Sequence, residues 1–204
     1  MKLHITIDTD EGPIIDIAEK PVPDVSKIED EFHVGDIISF RMEDGEEVEA
    51  MAVKKMKDGM MFCFVDCLKK EYPMNESRTA EGGYLSSDLR RALNNEIVAN
   101  FPEEIRSRLI PFSNGDYLRI PTEKEIFGTN EYGEDEPAES EQWEPMKRRR
   151  NRIAFQGKEG PWEWYWLQNR AKSSSTHFAR VSYGGCAGNR AASYSGGVRP
   201  AFKI

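Results

Sequence analysis

The chain has no run of about 18 apolar residues, so no transmembrane helix is expected. Its start, MKLHITIDTDEG, lacks a basic stretch followed by an apolar one, and no signal peptide is expected. There are only 3 cysteines, an odd number, which excludes a disulfide framework and points to synthesis in a reducing cytoplasm. The 3 histidines, His4, His33 and His177, are scattered, and neither HExxH nor CxxC occurs; no metal site is expected. No GxGxxG opens a helix after a strand and no GxxxxGK[ST] is present, so the common phosphate-cradling loops are absent and no cofactor is expected. Positive charge is in deficit: 28 Lys and Arg stand against 36 Asp and Glu, a net charge of −8. That balance argues against nucleic-acid binding, which needs a basic face, and suits a protein that resists self-association.

What is present divides at about residue 32. In residues 1–32, LHITID alternates like a strand with one buried face, and GPIIDIAEKPVPDVSKIEDE brings prolines and acids that favour extended backbone. This is read as an acidic N-terminal arm, either a loose tail or an element through which homo-oligomers assemble. Residues 33–204 are read as one domain. VGDIISFRM, VEAMAVKKM and MMFCFVDCL, separated by turns at Asp44-Gly45 and Asp58-Gly59, predict an antiparallel meander over residues 34–68. Ser86 or Ser87 can cap a helix whose Leu89, Leu93 and Ile97 share a face. Pro102 can open a second, with Ile105 and Leu109 on one side and Pro111 as its end. Thr122 with Glu125 forms a capping-box pattern, and Gly128 is its stop. Residues 129–141 read as a surface excursion. Trp162, Trp164, Tyr165 and Trp166 then crowd together, a density that marks core, with Trp164 and Trp166 on one strand face and Tyr165 on the other.

Several constellations have an ordinary explanation. Cys63 and Cys67, four positions apart on an apparent strand, would lie roughly 13 Å apart, too far to share an ion, and read as buried small hydrophobes. The basic run Lys147 to Arg150, with Arg152, reads as a solvated face or a set of internal ion pairs. Cys186, between Gly185 and Ala187 and near arginines, is the one thiol with a reactive setting. No nucleophile and base are placed by spacing, and the chain is read as not an enzyme.

The segment from about 168 to 196 differs in kind. It is a polar loop by composition, rich in Ser, Arg, Tyr, Asn and Gly, and it precedes a core-like closing strand over 197–204. Tyr and Arg supply contact at modest entropic cost while Ser, Gly and Asn adapt, which is the chemistry of antibody-like binding surfaces.

RRRNRIAF, WEWYWLQNR, FARVSYGG and GGVRPAFKI, with VGDIISF, GGYLSSDLRRALNNEI and IPTEKEIFG upstream, resemble a bacterial and phage domain family with a C-type-lectin-like C-terminal part. The resemblance spans roughly residues 34–204. It implies an α+β, C-type-lectin-like fold of antiparallel strands with two or three helices, plus the extended arm. Some members are the variable proteins of diversity-generating retroelements, in which error-prone copying of adenines scatters Asn codons into Ser, Tyr, Arg, His and others. For this chain the resemblance implies a scaffold of Trp164, Trp166, Leu167, Phe178, Ala179, Val181, Gly197, Val198, Arg199, Pro200 and Ala201. The implied ligand-binding positions are Asn169, Ser173, Ser174, Ser175, His177, Arg180, Ser182, Tyr183, Asn189, Arg190, Ser193 and Tyr194.

The calcium loop of sugar-binding lectins is missing, since Glu136-Pro137 is followed by Ala138, and so are their disulfides. Formylglycine-generating enzymes share the fold but use a cysteine pair, of which only Cys186 lies near the end of the chain. The expectation is a non-enzymatic, receptor- or adhesin-like protein taking a protein or cell-surface ligand, with phage origin and a place in the virion as one setting. The alternatives are an enzyme using Cys186, or a structural phage protein assembled through residues 1–32. Arg199, inside the closing strand, is expected to satisfy buried carbonyls or a carboxylate.

Overall fold

Asp44-Gly45 and Asp58-Gly59 break the first apolar stretch into the expected meander. The computed structural model describes residues 32–135 and 141–204, together with two short paired strands near the N-terminus, β1 (His4–Thr6) and β2 (Ile14–Asp16). β1 falls within the strand-like piece read in the arm; the rest of the arm's expected behaviour lies outside the described residues.

β3 (Ile37–Arg41), β4 (Glu47–Lys55) and β5 (Met60–Phe64) form an antiparallel sheet. β6 (Tyr72–Pro73) follows, then the helices. α1 (Asp88–Ala92) is capped by Ser87, whose Oγ accepts the Arg90 N–H, and runs on through a π turn to Ile97. Leu89, Leu93 and Ile97 are all buried, as their spacing predicts. α2 (Glu103–Arg106) is shorter than expected: Pro102 is its extended cap and Ser107 closes it, well before Pro111. α3 (Glu123–Phe127) carries the full capping box of Thr122 and Glu125 and ends at left-handed Gly128.

β7 (Ala154–Phe155) pairs with β8 (Trp162–Glu163). β9 (Tyr165–Arg170), β10 (His177–Val181) and β11 (Ala187–Ala191) form a second antiparallel sheet in the order β11-β10-β9. The segment read as a polar loop is therefore mostly sheet. Its composition misled because tight turns and an edge strand need few apolar side chains. β12 (Ser195–Gly196) pairs with β6, and β13 (Ala201–Lys203) joins the first sheet beside β5, giving β13-β5-β4-β3.

The architecture is α+β, and β5 and most of β9 are buried on both faces. Phe62, Phe64, Trp166, Phe178 and Phe202 face one apolar cluster with the α1 helix and Phe101. Met61, Cys63, Tyr165, Leu167, Ala179, Val181 and Ala201 face another, with Ile126, Trp143 and Met146. The two-residue period of each strand divides its side chains between these clusters. The rings of Phe62 and Phe202 stack at 5.6 Å, fixing the chain's last strand to β5.

Two expectations need correction. Trp162 is 63% exposed and is not core, because β8 is a two-residue edge piece. Cys67 is not on a strand with Cys63: β5 ends at Phe64, and the chain turns before Cys67 bridges to Gln156. Both thiols are nonetheless buried. Among the described residues no helix is long and apolar enough to cross a membrane, and no group of three His, Cys, Asp or Glu could hold a metal ion.

Candidate functional site

The expected binding residues belong to the β9–β10–β11 sheet and its turns. Ser173, Ser174 and Ser175 lie on the β9–β10 turn, with Ser173 and Ser175 exposed. Ser174 Oγ stands 2.6 Å from Nδ1 of His177, which opens β10. Burial, helped by the cations Arg78 and Arg190, lowers the His177 pKa below its usual 6.5.

The register of β10 on β11 places Phe178 opposite Arg190 and Arg180 opposite Gly188. Arg180 and Arg190 are therefore diagonal neighbours on one face. The Arg180 guanidinium sits 5.3 Å above the Trp164 ring, and that of Arg190 sits 4.1 Å above the Tyr194 ring. Burial and the Arg190 charge both depress the Arg180 pKa, while Tyr183 acts the other way. Tyr183, on the β10–β11 turn, and Tyr194, after β11, are each 50% exposed. Ser193 is exposed beside Tyr194, and Asn189 is half-buried on the edge strand. Ser182 has a structural task, its Oγ accepting the Cys186 N–H at 3.1 Å.

Asn169 does not belong to this surface. It is fully buried, its Oδ1 accepting the Glu123 N–H at 2.7 Å and its Nδ2 donating to the Glu134 carbonyl at 2.9 Å. It ties α3 and the turn before residue 135 to β9, work that an amide does and that an exposed contact residue cannot. The remaining eleven positions form two groups, one at each end of the sheet, joined by Arg180, Asn189 and Arg190.

Two further arginines lie at this surface: Arg78, which the sequence reading does not single out, and Arg149, which it reads only as part of a solvated or internally paired basic run. Arg78 sits in a turn brought to the sheet by backbone bonds from Asn75 N–H to the Ala192 carbonyl and from Ala80 N–H to the Ser175 carbonyl. Arg149 holds the other end, donating from Nε to the Gly184 carbonyl at 2.8 Å and from Nη2 to Cys186 Sγ at 3.3 Å. No local pattern places either at this sheet, since both arrive by tertiary contact. The rest of the basic run is divided: Lys147 pairs with Glu144, Arg152 lies 5.0 Å over the Phe127 ring, and Arg148 and Arg150 are exposed.

The result is a stripe running from Arg78 and His177 through Arg190 and Arg180 to Tyr183 and Arg149. Among the described residues Arg78, Arg180 and Arg190 form no ion pair with a carboxylate, although the chain carries a net charge of −8.

The chain matches no protein-family model, no curated protein and no solved structure.

Chemically, the stripe offers guanidinium donors, two exposed phenol rings and several hydroxyls. Cys186 is exposed, while Cys63 and Cys67 lie in the core, so the chain's other two thiols cannot pair with it in place.

Proposed function

We propose that this chain is a non-enzymatic ligand-binding protein on a C-type-lectin-like scaffold, of the kind diversified by retroelements. The carrying observation is how residue chemistry sorts by exposure within residues 164–204. Trp164, Trp166, Leu167, Phe178, Ala179, Val181 and the Gly197–Ala201 stretch are buried, while Tyr183, Arg190, Ser193 and Tyr194 stand outside on turns and an edge strand. Side chains in the second group can change without changing the core, which is what a varied binding surface requires. The ligand is a protein or cell-surface component, held by hydrogen bonds and aromatic packing without a cofactor.

The test is a displayed library in which the eleven surface positions take the residues reachable from Asn codons by adenine change, sorted for protease resistance. Most members should stay folded, whereas the same substitutions at Trp166 or Val198 should not. Intolerance at Tyr183, Arg190 and Tyr194 would make them fold residues and end the proposal. The source genome supplies a second test: a near-copy of the DNA encoding residues 164–204 beside a reverse transcriptase, differing mostly at adenines.

The exposure of Cys186 and the Arg149 guanidinium beside it favour a second reading, an enzyme of the formylglycine-generating type. It needs a second accessible cysteine, and among the described residues there is none.

A further inference from the structure

The outer edge of β11 has a definable hydrogen-bonding phase. Just beyond the strands, Ala192 N–H donates to the Thr176 carbonyl at 2.9 Å and Ser182 N–H to the Cys186 carbonyl at 2.7 Å. Bonded pairs alternate along an antiparallel ladder, so Phe178 with Arg190 and Arg180 with Gly188 exchange the intervening bonds. Ala187 and Asn189 consequently turn their N–H groups away from β10, about 7 Å apart, toward a side where, among the described residues, the sheet has no further strand.

The Arg180 guanidinium crosses β11 over Gly188. Its atoms lie 3.7–3.8 Å from where a Cβ would stand, so no side chain separates it from the edge. There its Nε donates to the Asn189 carbonyl at 3.3 Å. Arg190, two residues along the same face, is exposed, with its guanidinium 4.1 Å over the Tyr194 ring. An edge strand that displays backbone donors at strand spacing, with two guanidinium groups on one face and, among the described residues, no carboxylate paired with them, matches one chemistry. That is an extended polypeptide bearing Asp or Glu at alternate positions. An unpaired edge is ordinarily covered or blunted, and the arginines here select what can cover it.

We propose that the free edge of β11 takes an acidic peptide segment as an added strand, its alternate carboxylates on Arg180 and Arg190. This rests on the ligand-binding reading of the same surface and gives its ligand a class. A nucleic acid or acidic polysaccharide would use the charge but has no backbone row of amide carbonyls at strand spacing for the outward N–H groups.

The probe is a fluorescein-labelled octapeptide of alternating Glu and Val, compared by anisotropy with a Lys-Val octapeptide and an oligothymidylate. The wild type should bind the acidic peptide at least tenfold more tightly than either. Arg180→Gln with Arg190→Gln should weaken binding at least tenfold. Asn189→Pro, which removes the outward N–H but no ladder bond to β10, should also weaken it at least tenfold. Asn189→Pro binding like the wild type, or oligothymidylate binding as tightly as the peptide, overturns the proposal. If Asn189→Pro fails to fold, amide exchange of Ala187 and Asn189 in the wild type decides instead: protection at saturating peptide supports strand addition, and unchanged exchange overturns it. The display library reads folding alone. A failed peptide experiment therefore leaves the scaffold reading standing, while an intolerant library removes the premise of both.

Discussion

Arg199 Nη1 donates to the Tyr165 hydroxyl at 2.9 Å in the interior of the protein. The same guanidinium donates from Nε to the Phe64 carbonyl at 2.9 Å and from Nη1 to the Asn151 carbonyl at 3.2 Å, and lies 4.8 Å from the Tyr165 ring. A buried cation is held by carbonyls, a phenol and a π face, and it joins the lead-in of β13 to β5, β9 and the turn before β7. A hydrogen bond to a charged group is worth about 1.5–3 kcal/mol, so Tyr165→Phe should lose about that much in urea denaturation. An unchanged midpoint would mean that the phenol does not support Arg199.

The approach to β13 is as constrained as the strand. A Cβ on Gly196 would meet the Trp164 ring at 2.2 Å, and one on Gly197 would meet Cys67 Sγ at 2.6 Å. Gly196→Ala should destabilise the fold by about 1–3 kcal/mol through overpacking. Three residues earlier, exposed Ser193→Ala should stay within about 0.5 kcal/mol. Equal effects at the two positions would contradict the boundary between scaffold and surface.

Asn169→Ala should cost about 1–3 kcal/mol, because it leaves the Glu123 N–H and the Glu134 carbonyl without their partners. The triple replacement of Tyr183, Arg190 and Tyr194 by Ala should change the melting temperature little, since each is exposed. Thermal melts of the two proteins side by side check both statements.

Native-state thiol labelling should modify one of the three cysteines. Cys186 is exposed, whereas burial pushes the Cys63 thiol up to about 11 and raises Cys67 as well. The other two should react only in denaturant. Three fast-reacting thiols in the folded protein would refute the buried placement of Cys63 and Cys67.

Burial, with Glu71 nearby, raises the Glu163 carboxyl above its ordinary 4.5, outweighing the Trp164 N–H that it accepts. Between 4.5 and the raised value the folded form binds more protons than the unfolded chain, so stability falls as pH rises through that window. Burial raises Glu46 and Asp66 in the same sense. Glu163→Gln should flatten the fall in urea midpoints measured from pH 4.5 upward, and an unchanged slope would assign the effect elsewhere.

Much of this protein was local enough to read directly. Strand alternation marked β3 to β5, the 3.6-residue repeat marked Leu89, Leu93 and Ile97, and Thr122, Glu125 and Gly128 bounded α3, because each is determined by residues within one or two turns of chain. The placing of Trp164 and Trp166 on one face and Tyr165 on the other followed from the two-residue period alone. What composition could not convey is which polar residues stay outside. Asn169 and Ser193 look alike in sequence, yet one is consumed between α3 and the turn ending at residue 135, and the other faces water. Only tertiary packing decided that the Ser- and Arg-rich segment is a sheet with β11 as its outer strand among the described residues, that Arg78 and Arg149 lie beside it, and that Arg180 packs over Gly188. Those are relationships across many residues of chain, set by how the two sheets and their turns pack.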